Sequence, residues 1–135
     1  MLLTPHPGEA ARLLQTTTDV IESDRFAATI KLREKYGAQV LLKGAGSLLV
    51  TDRGNCLIDR GSPAMASGGM GDLLTGVVAA LLAQRMALAQ ALIAGAFWHA
   101  VAGEKAGKDG ERGTIASDLL PYIRRLVNGY GKDDD

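Results

Sequence analysis

The sequence predicts an α/β layered fold on three observations. Apolar segments of strand length at 39–42, 47–52 and 55–59 alternate with longer segments of helical character. A glycine-rich run, Gly68-Gly69-Met70-Gly71-Asp72, opens directly into an apolar stretch from Leu73 to Ala83, too long for a typical strand. The chain has 135 residues, enough for one domain with a real core.

Taken in order, Leu2-Leu3 reads as the end of a strand. Pro7-Gly8 opens a helix through about Leu14, with Glu9 in the first turn, where a carboxylate faces the positive end of the helix dipole. Asp19 with Glu22 three residues on has the form of a capping box and starts a helix that should run to Tyr36 and stop at Gly37. Gln39 to Leu42 is a strand leading into Lys43-Gly44. Ser47 to Asp52 and Asn55 to Asp59 flank a turn at Arg53-Gly54 and read as a β-hairpin. Residues 60–69 form a loop. Three helices follow, at about 70–84, 87–107 and 117–128. The first is apolar on nearly every side and is expected to be buried all round, with Gly76 and its alanines at close contacts. Gly107 to Gly113 reads as an exposed loop and 129–135, ending in three aspartates, as a frayed tail.

Composition narrows the function classes. Fifteen basic and fifteen acidic residues cancel, so there is no electrostatic footprint for nucleic acid. The one cysteine, Cys56, cannot form an internal disulfide and fits a reducing cytoplasm. It reads as a small apolar strand residue, since no activating partner lies near it in sequence. Met1-Leu2-Leu3 passes at once into Thr4-Pro5-His6-Pro7, without the basic and apolar regions of a signal peptide. Met86 to Gly103 carries no Lys, Arg, Asp or Glu over 18 residues. It is mostly alanine, however, and contains Gln90, Gly95 and His99, which favours a buried helix over a membrane span. His99 on that helix reads as a satisfied core histidine.

The chemistry concentrates in Met65-Ala66-Ser67-Gly68-Gly69-Met70-Gly71-Asp72. Glycine amides at a helix N-terminus favour an anion. Asp72 beside them does not assist anion binding, but suits a site where a hydroxyl gives up a proton while a phosphate is held. The plainer alternative is a tight turn with Asp72 charging the first helical turn. Lys43-Gly44-Ala45-Gly46-Ser47 is not a Walker sequence; small residues there admit close approach of a nucleotide, and Lys43 can meet a phosphate as a point charge. A glycine-rich turn with a solvated lysine is the alternative. His6, held between two prolines, has a stiff backbone and a defined direction.

Thr4-Pro5-His6-Pro7-Gly8-Glu9, Lys43-Gly44-Ala45-Gly46-Ser47 and the Met65–Asp72 run occur in an order and spacing that resemble the ADP-dependent NAD(P)H-hydrate dehydratases of the ribokinase-like group. The resemblance spans Leu3 to about Asn128. It implies a ribokinase-like αβα sandwich, truncated at its N-terminal side, with residues 1–128 forming the C-terminal portion of the catalytic domain. It also implies an adenine nucleotide site at Lys43, Gly44, Ala45, Gly46, Ser47 and Gly71. Gly68, Gly69, Met70 and Gly71 would form an anion hole, Asp72 would be the base, and His6 with Asp72 would meet the substrate. Glu9 would act on phosphate-bound Mg²⁺ through water, or simply charge the first turn of its helix. The implied substrate is hydrated NADH or NADPH (NADHX, NADPHX), and the implied donor is ADP or ATP with Mg²⁺. A homo-oligomer is expected. In place of the family's usual Asn and Gly before the glycine run, this chain has Ser62 and Ala64, so residue 64 does not take a positive φ. A related small-molecule kinase and a non-catalytic nucleotide-binding module remain alternatives; product analysis separates the first.

Overall fold

In the computed structural model, which describes residues 1–44 and 46–129, the chain divides into two units after Asp59. The first carries a four-stranded mixed sheet of β1 (Leu2–Leu3), β2 (Gln39–Leu42), β3 (Ser47–Thr51) and β4 (Gly54–Ile58), in that spatial order. β1 pairs parallel with β2, while β2–β3 and β3–β4 are antiparallel. The parallel pair needs a crossover, which is supplied by α1 (Pro7–Leu13), α2 (Thr18–Ser23) and α3 (Arg25–Tyr36). Their apolar faces close one core: Ala10, Ala11, Ile21, Ala28 and Leu32 pack with Val40 and Leu42 of β2. Each fully buried leucine contributes roughly 1.5–3 kcal/mol through area removed from water. The Tyr36 hydroxyl and Lys35 ammonium donate to the Leu13 carbonyl at 3.0 and 2.7 Å, tying the end of α3 to the end of α1.

The single helix expected from Asp19 to Tyr36 is two helices. Asp24 takes φ −153°, breaks the run, and caps α3 by accepting from the Ala27 amide at 2.9 Å. Thr17 caps α2, accepting from the Val20 amide, and Asp19 falls in the first turn. Both are residues whose side chains compete well for backbone amides. The hairpin forms as expected, but its two-residue turn is Asp52-Arg53. Thr51 pairs with Gly54 and fastens the turn through Oγ1, which donates to the Gly54 carbonyl and accepts from the Arg53 amide. Cys56 lies half-buried in β4 as a free thiol.

The second unit is helical: a 3₁₀ turn (Pro63–Ala66), α4 (Met70–Ala83), α5 (Leu88–Lys108), a second 3₁₀ turn (Ala116–Leu119) and α6 (Leu120–Val127). Met70, Ala102, Ala106, Leu119 and Ile123 form its core, with Met65, Leu73, Val77 and Tyr122 against them. α4 is not buried all round; Met70, Leu74, Val78 and Leu81 make one buried stripe, while Gly76, Ala79 and Ala80 are exposed. The close contact is made by Gly95 of α5 instead, where a Cβ would lie 2.9 Å from Val78 Cγ2. Gly107 is helical, so the exposed loop begins two residues later than expected. Of the expected tail, residues 130–135 lie outside the described residues. Among the described residues no helix is long and apolar enough to cross a membrane.

Arg60 and Glu104 anchor the start of this unit. The Arg60 guanidinium donates to both Glu104 carboxylate oxygens, the shortest contact being 2.6 Å, and the Gly61 amide donates to Oε1 at 2.9 Å. The Arg60 hydrogen bond holds the Glu104 carboxyl below its ordinary pKa, and the Gly61 amide adds to this against partial burial. A depressed carboxyl pKa stabilises the fold above the unfolded value, and that stability is lost as pH falls through the folded one. Glu104→Gln should therefore lower the midpoint of urea unfolding at neutral pH and flatten its fall on acidification. Equal acid sensitivity in wild type and variant would contradict this.

Candidate functional site

In the first unit, three sequence segments meet around the end of β2. His6 is the N-cap of α1, in extended conformation, and its Nδ1 accepts from the Glu9 amide at 3.2 Å. Glu9 Oε2 accepts from the His6 amide at 2.9 Å, completing a reciprocal capping box. With Nδ1 accepting, the neutral ring carries its proton on Nε2, which lies 3.3 Å from Glu9 Oε1. His6 and Glu9 thus serve the start of a helix, with half of each side chain still open to solvent. The Lys43 amide donates to the Pro5 carbonyl at 2.9 Å, which joins the His6 segment to the segment beginning at Lys43.

Arg25, at the start of α3, was not among the residues singled out from sequence. Its guanidinium donates to the Gly46 carbonyl at 2.7 Å and more weakly to the Leu42 carbonyl at 3.4 Å. It bridges the two ends of the 43–47 turn and lies so close that a Cβ on Gly44 would be 2.6 Å from Arg25 Nη2. Gly44 thus leaves room for the guanidinium where it now sits, and its φ is not among the positive ones. Lys43 is half-buried and Ser47 starts β3; Ala45 lies outside the described residues.

In the second unit, Gly69 is the N-cap of α4 with φ +86°, a left-handed conformation that costs most other residues about 1–2 kcal/mol. Its carbonyl accepts the first helical bond, from Leu73, at 2.9 Å. No side chain caps this helix, so the amides at Met70, Gly71 and Asp72 have no intrahelical partner. Gly68 and Gly69 are exposed, and Asp72 is exposed in the same turn. Four of the expected site residues and the expected base therefore share one helix start. Ser62 caps the preceding 3₁₀ turn, its Oγ accepting from the Ala64 amide at 3.1 Å, and Ala64 is not among the positive-φ residues. The Oγ of Ser67, immediately before the glycines, is buried with no hydrogen-bond partner among the described residues. His99 is buried and its Nε2 lies 3.0 Å from the Met70 carbonyl, the satisfied core histidine that its apolar helix implied. Among the described residues no cluster of three His, Cys, Asp or Glu side chains could cage a metal ion.

The family model for NAD(P)H-hydrate dehydratase matches residues 1–125. The chain belongs to the NAD(P)H-hydrate dehydratase family. Among family members, the bifunctional NAD(P)H-hydrate repair enzyme of Vibrio cholerae is 49% identical over 128 residues, covering 94% of this chain and 26% of the relative. The ADP-dependent (S)-NAD(P)H-hydrate dehydratase of Neisseria meningitidis is 37% identical over 135 residues, or 98% of this chain and 46% of the relative. In fold, the ADP/ATP-dependent NAD(P)H-hydrate dehydratase of Bacillus subtilis, crystallised with ATP and Mg²⁺, matches 96% of the chain and 47% of its own length. That match has a TM-score of 0.86 at 24% identity. A ribokinase-like superfamily protein of Enterococcus faecalis matches 96% of the chain with a TM-score of 0.81. The fold is therefore the expected ribokinase-like α/β type. This chain spans from a quarter to just under half the length of these family relatives.

The Arg25 bridge gives a test of the 43–47 turn. Gly44→Ala should cost about 1–3 kcal/mol of stability in denaturant unfolding, because the guanidinium must leave its carbonyls. In an Arg25→Ala background the same substitution should cost little. Equal costs in both backgrounds would show that Arg25 does not crowd Gly44.

Proposed function

We propose that this chain supplies the nucleotide-handling and catalytic residues of an NAD(P)H-hydrate dehydratase acting on hydrated NADH or NADPH in metabolite repair. The carrying observation is the uncapped start of α4. Amides of a glycine-flanked turn and the Asp72 carboxylate occupy one helical turn of a dehydratase-family chain. A phosphoryl group needs aligned donors for its developing charge, and the attacking hydroxyl needs a base. The proposed roles are Gly68, Gly69, Met70 and Gly71 as the anion hole and Asp72 as that base.

In this reading the ring hydroxyl oxygen of the hydrate attacks the terminal phosphorus of ADP. Asp72 takes the hydroxyl proton as the bond to the departing nucleotide breaks. Cleavage of the ring carbon–oxygen bond then expels phosphate, and loss of a proton from the neighbouring ring carbon restores the double bond of NAD(P)H. Lys43, Gly44, Ala45, Gly46, Ser47 and Gly71 are the proposed nucleotide contacts, and His6 is a substrate contact reached through its exposed face. Mg²⁺ would arrive on the nucleotide phosphates, neutralising their charge, with waters and phosphate oxygens among its ligands. Glu9, already committed to the α1 cap, could reach it only through water. The name of the Neisseria meningitidis relative supports ADP as donor, and the Bacillus subtilis enzyme was co-crystallised with ATP and Mg²⁺. Residues 1–128 are proposed as part of a larger catalytic domain. A homo-oligomer is part of this reading, and the lone thiol of Cys56 supports a cytoplasmic protein.

Asp72→Asn should lower turnover of the hydrate by about 10²-fold or more while leaving nucleotide affinity within a few-fold. Phosphate release measured alongside NAD(P)H absorbance checks this. Parallel loss of binding and turnover would remove Asp72 from the role of base. A stable phosphorylated product without phosphate release would point to a kinase.

A further inference from the structure

The start of α4 is poorly determined by its own residues. Gly69 holds a left-handed conformation without a side chain, Gly68 and Gly71 are equally bare, and no side chain caps the helix. Met70 is the one residue of the four with a side chain to grip. α5 grips it twice. The Met70 side chain is buried against Ala102 and Ala106, and its carbonyl receives the His99 Nε2 at 3.0 Å. His99, Ala102 and Ala106 recur at spacings of three and four, so they share one face of α5.

A histidine on this face needs a reason. Most of its buried neighbours along α5 are Ala, Gly, Leu or Val, and a polar ring removed from water is costly unless it is hydrogen-bonded. A carbonyl only accepts, so the bond requires the proton on Nε2. An apolar residue would bury the methionine equally well but would leave the backbone of the first turn without this tie.

We propose that His99 is a positioning residue for the anion site at the start of α4. Its Nε2–H bond to the Met70 carbonyl, together with burial of the Met70 side chain, sets the orientation of the first-turn peptide groups. The Gly71 and Asp72 amides, and the Asp72 carboxylate, are thereby aimed before any ligand arrives. The inference rests on the functional reading above for what the site holds, but the bond and its effect on the turn stand apart from it.

The test compares His99→Gln, whose side-chain amide reaches the same distance as Nε2, with His99→Met, which fills similar volume without a donor. In ¹⁵N-labelled protein, long-range ¹H–¹⁵N spectra should place the ring proton on Nε2. The Gln variant should keep the Gly69, Gly71 and Asp72 amide resonances near their wild-type positions. The Met variant should displace them while the β3–β4 hairpin resonances stay in place. In turnover, the Met variant should lose about tenfold to a hundredfold in kcat with the KM for ADP within about twofold, and Gln should restore most of it. A proton on Nδ1 in the wild type, or Met and Gln variants with indistinguishable first-turn amides and kcat, would overturn the proposal. The tautomer is read on the wild type, so a Met variant that fails to fold still leaves the proposal exposed to refutation. Absence of hydrate turnover in wild type would instead count against the functional reading, with the amide spectra still deciding the role of His99.

Discussion

A helix that begins without a cap leaves strong hydrogen-bond donors facing outward, and α4 begins that way at Gly69. Among the described residues three other α-helices close their starts with their own side chains, while α5 and α6, like α4, have no side-chain cap. His6 caps α1, Thr17 caps α2 and Asp24 caps α3. At α4 the same need is left unmet by sequence, in the turn that also carries Asp72. Satisfying those amides locally would stabilise the helix and close the proposed anion site. With no cap of its own, the turn is held from the side by α5.

The first unit solves a related problem differently. Its 43–47 segment, proposed to meet a nucleotide, is held at its ends from outside. Arg25 holds it by donating to carbonyls at both ends, and Gly44 leaves the room that the guanidinium needs. The Pro5 carbonyl fixes the position of the Lys43 backbone. In both units a polar side chain from a neighbouring helix, Arg25 or His99, fixes a glycine-rich backbone that cannot fix itself.

Much of this was legible in sequence where the signal is local. The glycine run marked the start of α4, where a left-handed Gly69 adjoins an apolar helix. Strand segments and the hairpin followed from alternation and turn residues. The break at Asp24 was missed because Asp19 and Glu22 offered a competing capping pattern, and a cap is decided by which side chain reaches an amide. The burial of α4 was overstated, since composition does not say how many neighbours a helix has. Arg25 was invisible because it acts on carbonyls 17 and 21 residues away. The cap at His6 hid behind the prolines, although Glu9 three residues on was its sign.

The central claim is that the chain belongs to the nucleotide-handling part of a dehydratase, with Lys43 and its turn as a preformed contact. Calorimetric titration with ADP and Mg²⁺, on wild type and Lys43→Ala, tests it most directly. The account predicts saturable one-to-one binding that weakens about tenfold or more in the variant, as expected for loss of a charge-assisted contact to phosphate. A folded chain that takes up no nucleotide, or one whose affinity is unchanged by loss of Lys43, would contradict it.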